Sequence, residues 1–241
     1  MYKQSFLNTL LILIIIGICS EKVVSQHLHI GQSAPSFVAE STKGVINFPD
    51  DYFNKWRIIF SHPADFTPVC TSEILALADK QDTFKKLKTV LLVVSTDGLN
   101  SHLSWVRSIE SIKRDGKGDV KIDFPLISDV DYNVSEKYNL LRADTTLRKD
   151  LRSVVYIDPD NTIRAILTYP DNIGRNIDEL IRLLIALQTA DSHNVLTPAD
   201  WQPGDDVLIE SPKTIEESEK LKASNRRGYY HLTWYMWFRK L

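Results

Sequence analysis

Cysteine is scarce in this sequence, which contains only two in 241 residues, Cys19 and Cys70. Cys19 lies in an apolar leader that we expect to be removed, so the mature chain keeps Cys70 alone. One remaining cysteine excludes an intrachain disulfide. A free thiol is unusual in a secreted chain because oxidising compartments favour pairing. The scarcity of cysteine therefore indicates a reactive role for Cys70.

The sequence also has no excess of basic residues. It contains 29 Lys and Arg and 31 Asp and Glu, which gives a formal net charge of −2. Phosphate binding needs a concentrated basic surface, so we expect no nucleic-acid partner. The six histidines show no metal-ligand spacing apart from His27 and His29. Those two lie near the expected mature start, where a disordered end is the better interpretation. We therefore expect neither a metal centre nor a bound cofactor.

The apolar stretch near the start is shorter than a membrane span. Residues 10–16 are unbroken aliphatic, Lys3 precedes them and small residues follow. This pattern is typical of a secretory signal peptide, which we place at residues 1–25, with cleavage after Ser25 or, as an alternative, after Ser20. An uncleaved membrane anchor is disfavoured because a span needs roughly 20 apolar residues. We expect the mature protein to be secreted or to stay in the secretory-pathway lumen.

Asn133 begins the triplet Asn-Val-Ser, a candidate glycosylation acceptor in a secreted chain. The pattern is three residues long and common by chance. Its occupancy therefore stays open at this point.

The segment around which the chain is organised is residues 61–73, SHPADFTPVCTSE. It follows an apolar run that predicts a buried strand and precedes a helical pattern of apolar residues, so it is a strand-to-helix turn. Its two prolines suit a rigid loop that leads into a first helical turn. Cys70 then lies in that turn, where free N–H groups and the helix dipole favour its thiolate. Thr67 would neighbour it on the same face.

Further motifs follow in a fixed order along the chain: FPLISD at residues 124–129, YIDPD at 156–160, YP at 169–170, GRN at 174–176 and TPADW at 197–201. Together with residues 60–73, these motifs resemble the peroxiredoxins of the AhpC/TSA family, and especially their one-cysteine, peroxiredoxin-6-like group. The resemblance runs from about residue 29 to about residue 230. It implies an α/β, thioredoxin-like fold, with a mixed central sheet flanked by helices, and the reduction of hydrogen peroxide and organic hydroperoxides.

The same resemblance assigns the principal site residues. Cys70 would be the nucleophile that passes through a sulfenic acid, and Thr67 would supply a hydroxyl. Pro63 would shield the sulfenate from solvent. Arg152 matches the arginine whose guanidinium lies near the sulfur, where it stabilises the thiolate and the departing oxygen.

Three further residues are candidates for supporting roles. Glu73 could pair with Arg152 and hold its orientation. Arg175 is either part of that network or a helix-capping residue, and His62 either lines the pocket or has a plain structural role.

With no second cysteine in the mature chain, the sulfenic acid needs an external thiol, such as glutathione or a partner protein. Over-oxidation to sulfinic acid would inactivate the protein. Some one-cysteine relatives also hydrolyse phospholipids through a serine, but the matching position here is Lys55, so we expect no such activity. The alternative function from another class is a non-enzymatic, secreted interaction protein or holdase. The intact set of site residues argues against it.

Strands alternate with helices up to a hairpin near residues 153–167 and an amphipathic helix over 176–189, a pattern typical of an α/β fold. We assign residues 28–193 to the thioredoxin-like domain. Residues 194–241 would form an extended arm with one short helix, and the resemblance implies that this arm packs across the partner of a homodimer. The aromatic end, residues 229–241, departs from the family pattern. An interface, a membrane-surface anchor and a sticky tail all remain open for it.

Overall fold

The structure is a computed structural model that describes residues 28–116, 118–142 and 148–241. The expected signal peptide and Cys19 lie outside the described residues. The helices and strands, in chain order, are β1 (Phe37–Ser41), β2 (Gly44–Phe48), β3 (Trp56–Ser61), α1 (Pro68–Lys86), β4 (Thr89–Ser95), α2 (Leu99–Glu110), β5 (Leu126–Ser128), α3 (Asn133–Lys137), β6 (Arg152–Ile157), β7 (Ile163–Tyr169), α4 (Ile177–His193), β8 (Val207–Leu208), α5 (Ile215–Ala223), β9 (Tyr229–Thr233) and β10 (Met236–Arg239).

A seven-stranded sheet in the order β2-β1-β5-β4-β3-β6-β7 forms the centre of the molecule. The pairs β3–β4 and β4–β5 are parallel, whereas the remaining pairs of this sheet are antiparallel. The sheet is therefore mixed, as expected. A tight turn between β6 and β7, closed by the N–H of Asn161 on the carbonyl of Asp158, makes the predicted hairpin.

Helices cover both faces of this sheet, because the central strands are apolar on both sides. In β3, Ile58 and Phe60 pack on the face covered by α1, α2 and α4, while Ile59 packs on the opposite face with α3. Successive side chains of a strand alternate between faces, so a continuous apolar run indicates burial on both. The continuous β-branched run of residues 89–95 predicts a central strand from the sequence, and β4 confirms it with the same bounds.

The buried face of α2 agrees only in part with the sequence pattern. Leu103, Val106 and Ile109 recur at spacing three, with Trp105 adjacent, and this pattern predicts an apolar stripe, but Leu103 is 38% exposed. The buried residues of the helix are His102, Trp105 and Ile109. The expectation was wrong for Leu103 and right for Ile109. His102, which sequence patterns count as polar, is buried because its ring nitrogens contact Asp65 and the Ile127 carbonyl.

From the sequence, Ser128 and Asp129 are predicted to cap a helix that runs to Tyr138, but the helix begins later. The backbone N–H of Asp129 still bonds to the carbonyl of Ser95 (3.0 Å) at the end of the sheet, and its own carbonyl accepts from the N–H of Tyr132 (3.1 Å), so a turn separates Asp129 from the helix. Helix α3 begins at Asn133. The Asp129 carboxylate nevertheless accepts bonds from the N–H groups of Val134 (2.9 Å) and Ser135 (2.7 Å), and thus caps the first turn from outside the helix.

The C-terminal region is more structured than the expected extended arm with one short helix. Besides α5 it contains a second sheet in the order β8-β10-β9. Trp237 of β10 is buried and donates a hydrogen bond from Nε1 to Oγ of Ser218 in α5 (3.0 Å), which joins the sheet to the helix. Leu232, Trp234 and Tyr235 at the hairpin tip stay exposed. Within the described residues, no helix has the length and apolar character needed to cross a membrane.

Candidate active site

Cys70 is the third residue of α1 and is fully buried. The helix begins at Pro68, whose missing N–H costs nothing at a first helical position, and Thr67 stands before it in extended conformation. The first-turn position predicted for Cys70 is therefore confirmed. The sulfur packs within the apolar cluster between the sheet and α1, α2 and α4, and the free N–H groups of the first turn favour a negative charge there.

Arg152 brings a guanidinium to this sulfur. As the first residue of β6, it is carried by the strand that pairs with β3. Its Nη1 lies 3.3 Å from Sγ of Cys70 and also donates to Oε2 of Glu73 at 2.7 Å. Its Nε donates to the carbonyl of Asp171 at 2.8 Å. Because Arg152 is 3% exposed, these charge-assisted bonds act in a poorly hydrated site where they are strong.

Glu73 binds a second arginine on its other side. Arg175 donates from its backbone N–H and from Nε to Oε1 of Glu73, at 2.8 and 2.9 Å, and from Nη2 to Oε2 at 2.8 Å. Its Nη1 donates to the carbonyls of Ser61 (2.8 Å) and Ser153 (2.9 Å). Arg175 thus belongs to the buried network. The cap of α4 is instead Asn176, whose side chain accepts from two N–H groups of the first turn.

The charges of this network favour an anion at the sulfur. Two guanidinium groups share one carboxylate, so Glu73, Arg152 and Arg175 together carry one net positive charge. Burial lowers the pKa of Arg175, while the hydrogen bonds and charge of Glu73 oppose that change. A thiolate at Cys70 would balance the remaining charge.

Thr67 and Pro63 lie in the loop between β3 and α1, and both are half-buried. The Thr67 hydroxyl donates to the carbonyl of Ala64 at 3.0 Å, which leaves its lone pairs free to accept. The next residue back, Phe66, is left-handed at φ 55° and 58% exposed, so the loop turns sharply just before the helix.

His62 is fully buried directly after β3, and a backbone hydrogen bond with Ala64 acts on its ring. Its ring lies 5.1 Å from the ring of Trp105 and 6.2 Å from that of His102. Burial, and then the charges of His102 and Arg175, lower the pKa of His62 to about 3, so the ring is neutral. Pocket lining and a structural role both remain predictions for this residue.

A hydrogen-bonded network that holds the loop between β3 and α1 was not predicted from the sequence. Both carboxylate oxygens of Asp65 contact Nδ1 of His102, at 3.0 and 2.9 Å. The backbone N–H of Asp65 donates to Oδ2 of Asp97 (2.7 Å), whose other oxygen accepts from Lys149 (2.7 Å). These partners lie 32 to 52 residues apart in the chain, so no local pattern could connect them.

Two other predicted positions lie away from the sulfur. Asn133 is half-buried at the start of α3, and the Ser135 of its triplet is fully buried, with its hydroxyl bonded to Asp129 at 2.5 Å. Lys55 is exposed just before β3. A surface cavity of about 980 Å³ lies near this end of β3, lined in part by Trp56 and Arg164, and is distant from the Cys70 end of the strand.

Comparison with known proteins gives a consistent assignment. Residues 30–166 match the AhpC/TSA family, and residues 186–223 match the C-terminal domain of 1-Cys peroxiredoxin. A peroxiredoxin of Methanosarcina mazei is 42% identical over 212 residues, covering 88% of this chain and 97% of that protein. A peroxiredoxin of Aquifex aeolicus is 38% identical, covering 88% of this chain and 96% of that protein.

Solved structures agree with these relatives. A yeast mitochondrial 1-Cys peroxiredoxin, studied for thiol resolution via glutathione/thioredoxin systems, superposes with a TM-score of 0.76 at 37% identity, covering 89% of this chain and all of that one. A cysteine-to-serine mutant of peroxiredoxin 6 of Arenicola marina gives a TM-score of 0.76 at 31% identity, covering 88% and 98%. The chain therefore belongs to the AhpC/TSA family, with a 1-Cys peroxiredoxin C-terminal region and a thioredoxin-like fold, and it is a thiol-dependent peroxidase.

Proposed function

We propose that Cys70 is the nucleophile of this peroxidase and that Arg152 stabilises both its thiolate and the departing oxygen. The observation that supports this most directly is the position of Arg152 Nη1, which lies 3.3 Å from Sγ while Glu73 holds it at 2.7 Å. A donor fixed before the reaction starts stabilises developing charge without reorganising.

In the proposed reaction, the sulfur forms a bond to one peroxide oxygen as the O–O bond breaks. The other oxygen leaves as hydroxide or alkoxide and takes up a proton from solvent, which yields water or an alcohol. The sulfur of Cys70 is thereby oxidised to a sulfenic acid and the peroxide is reduced. Thr67 would orient the peroxide through its hydroxyl, and Pro63 would shield the sulfenate from bulk water.

Glu73 and Arg175 act in this scheme as positioning residues. The carboxylate of Glu73 keeps Arg152 turned towards the sulfur, and Arg175 fixes Glu73 from its other side. Because Arg175 also bonds to carbonyls of β3 and β6, it ties the network to the sheet. The arrangement thus holds the reacting groups on rigid elements rather than on loops.

An external thiol serves as reductant. Attack of this thiol on the sulfenic acid forms a mixed disulfide and water, and a second thiol then releases the reduced Cys70. We propose glutathione or the thiol of a partner protein for this step, as in the systems named for the yeast mitochondrial relative. The described residues contain one cysteine, Cys70, so no second thiol of theirs could resolve it.

We further propose that the mature chain is a secreted homodimer. The signal-peptide pattern of residues 1–25 supports export, and the match of residues 186–223 to the 1-Cys C-terminal domain supports a division into a domain of residues 28–193 and an arm of residues 194–241. In this proposal the arm packs across the partner, and Asn133 is available to the glycosylation machinery before folding. Lys55 in place of a serine leaves no phospholipase nucleophile there.

A coupled assay of peroxide consumption with glutathione or a dithiol protein as reductant tests the proposal. Wild type should turn over, and Cys70→Ser should not. The rival candidate, a non-enzymatic holdase on the same fold, predicts equal and negligible peroxide consumption by both proteins. The reductant that supports the higher rate identifies the partner, and mass spectrometry of the secreted protein reports its mature start and any glycan at Asn133.

A further inference from the structure

The C-terminal end of the chain differs in charge from the rest of the protein. Residues 220–241 contain six Lys and Arg and no Asp or Glu. All 31 acidic residues of the chain therefore lie before residue 220, together with 23 of the 29 basic ones, which gives that part a formal charge of −8. A basic segment on an otherwise acidic protein indicates a partner that carries negative charge.

The basic side chains of this segment are available to an external anion. Lys220 forms an exposed pair with Glu216 at 2.9 Å. Asp206 contacts the hairpin of β9 and β10 through the Tyr230 hydroxyl (2.9 Å) and not through a basic side chain. Within the described part of the chain, the other five basic residues form no ion pair, and all except the half-buried Arg239 are exposed; they are Lys222, Arg226, Arg227, Arg239 and Lys240.

Apolar side chains form the tip of this hairpin. Trp234 and Tyr235 are the two turn residues between β9 and β10, and the centres of their rings lie 5.5 Å apart in an edge-to-face arrangement. These residues are 43% and 51% exposed, and Leu232, two residues before Trp234, is 67% exposed. Gly, Asn and Asp are the usual residues of such turns, so two exposed aromatic residues there indicate contact with something outside the chain.

The distance between the apolar tip and the basic residues fits a bilayer surface. Arg239 pairs with Tyr229 at the open end of the hairpin and is the fifth residue after Trp234, which corresponds to about 15 Å at roughly 3.3 Å per residue of strand. Residues 226–227 and Lys240 flank the same end. An interfacial segment buries its apolar residues about 5–10 Å deep. With the tip at that depth, the basic residues lie within about one Debye length of the lipid phosphates.

We propose that the hairpin of β9 and β10 docks this protein on the surface of a bilayer that contains anionic phospholipids. Leu232, Trp234 and Tyr235 enter the interface, where apolar chains cover the aromatic rings while their polar edges stay hydrated. The basic residues at the base of the hairpin attract the phosphates, and each contributes about fivefold in affinity near an anionic surface. The contact is peripheral, reversible and sensitive to salt.

The tip is too small to form a stable contact with a second copy of the chain. One leucine and two aromatic side chains supply on the order of 500 Å², whereas a stable interface buries about 800 Å² on each partner. A nucleic acid or a sulfated glycan would bind the basic residues but would leave the apolar tip in water. An anionic bilayer is the partner that suits both features together.

Binding to vesicles of phosphatidylcholine, alone or mixed with phosphatidylserine, tests the proposal. The secreted chain without residues 1–25 is used, because the aliphatic leader would itself bind lipid. It should sediment with the phosphatidylserine vesicles and bind about tenfold or more weakly to phosphatidylcholine alone. Raising the salt from about 0.1 to about 1 M should release it, since the Debye length then falls from about 10 to about 3 Å.

The fluorescence of Trp234 reports the position of the tip. The other four tryptophans of the chain are at most 7% exposed. Quenching by phosphatidylserine with brominated acyl chains should therefore come mainly from Trp234. Trp234→Phe keeps an apolar ring, so this variant should still bind the vesicles but lose most of the quenching.

A tip variant and a matched control test the apolar contact. Leu232→Ser combined with Trp234→Ser should weaken binding to phosphatidylserine vesicles about tenfold or more. Phe53→Ser, which removes an aromatic residue that is 73% exposed outside the hairpin, should bind like wild type. The tip variant should melt like wild type, because both side chains are exposed.

A second pair of variants tests the charge. Arg226→Gln combined with Arg227→Gln should weaken binding to phosphatidylserine vesicles about tenfold or more and reduce its salt dependence. Lys55→Gln combined with Lys86→Gln removes two exposed basic residues outside the segment and should leave binding unchanged.

Absence of vesicle binding by wild type, absence of quenching in the bound protein, or undiminished binding in the tip variant or the double arginine variant would each overturn the proposal. A tip variant that binds vesicles like wild type but changes the oligomeric state in sedimentation would assign the tip to a second copy and would overturn it as well. None of these readouts depends on peroxidase activity.

Discussion

The guanidinium of Arg152 donates a hydrogen bond of 3.3 Å to the sulfur of Cys70, across 82 residues of sequence. The contact exists because β3, which leads to Cys70, pairs with β6, which begins at Arg152. Glu73, one turn after Cys70 on α1, fixes the same nitrogen at 2.7 Å. The nucleophile, its stabilising cation and the residue that orients this cation are thus built on two adjacent strands and one helix.

Replacing Arg152 by lysine should slow the reaction with hydrogen peroxide by about 10²-fold or more. A lysine keeps the charge but cannot donate simultaneously to the sulfur, to Glu73 and to the Asp171 carbonyl with the same planar geometry. Stopped-flow kinetics of the reduced protein measure this rate. Arg164→Lys, which changes a partly exposed ion pair remote from the sulfur, serves as the control and should react like wild type. A loss below threefold in Arg152→Lys would contradict the role given to this arginine.

Glu73→Gln should destabilise the fold by about 3–5 kcal/mol, because it leaves two buried guanidinium groups without their shared carboxylate. Urea unfolding followed by tryptophan fluorescence measures the free energy of unfolding. The matched control is Glu216→Gln, which breaks an exposed pair with Lys220 and should change stability by less than about 0.5 kcal/mol. Similar effects for the two variants would show that the Glu73 network contributes little to stability.

Asp150 should make stability fall as the pH rises. Its carboxyl group is fully buried, and this burial raises its pKa to about 7. A hydrogen bond with Ser135 opposes the change, and the negative charge of Asp129 adds to it. The folded state therefore binds this proton more tightly than the unfolded state does. The stabilisation is complete below about pH 4 and is lost as the pH rises through about 7, with an upper limit of about 4 kcal/mol.

Asp150→Asn removes this titration and keeps the shape of the side chain. Wild type should therefore lose stability between pH 5 and pH 8, and the variant should lose less. Thermal melts of both proteins across this pH range measure the difference. Asp131→Asn, at an exposed position, should leave the wild-type pH profile unchanged. A parallel pH dependence for Asp150→Asn and wild type would refute the assignment of the buried proton to Asp150.

Trp237→Ala should unfold the C-terminal sheet without disturbing the sulfur site. The Trp237 side chain is 3% exposed and bonds to Ser218, so its loss removes about 3–5 kcal/mol of packing from a small unit. Hydrogen exchange should rise in residues 207–239 and stay unchanged in α1 and β3. Trp234→Ala, at a position 43% exposed, should leave both regions protected. Equal exchange in the two variants would contradict the anchoring role of Trp237.

The sequence was sufficient to predict those parts of the fold and the site that depend on residues close together in the chain. The Pro-rich segment that ends in Cys70, the apolar runs of β3 and β4 and the helix of Ile177–His193 all follow from short-range patterns, and the structure has them at the expected places. Glu73 and Arg152 could be paired only through the family resemblance, since 79 residues separate them.

The remaining features depend on contacts that no local pattern records. His102 is polar but buried, because Asp65 and the Ile127 carbonyl contact it from other elements. The sequence pattern of α2 was therefore right for Trp105 and Ile109 but wrong for Leu103. From the sequence, the aromatic end of the chain suited an interface, a membrane-surface anchor or a sticky tail equally well. It forms two strands, and Trp237 in the second of them donates a hydrogen bond to Ser218 of α5. This partner lies in a different element, so no local pattern could predict the contact.

The central claim is that the buried sulfur of Cys70 attacks the peroxide itself. It is tested most directly by adding one equivalent of hydrogen peroxide to the reduced full-length chain, trapping with dimedone and locating the adduct by mass spectrometry. The account predicts one adduct per chain on Cys70, formed within seconds, and none in Cys70→Ser. Peroxide left unconsumed by the wild-type protein, with its thiol still free, would contradict it.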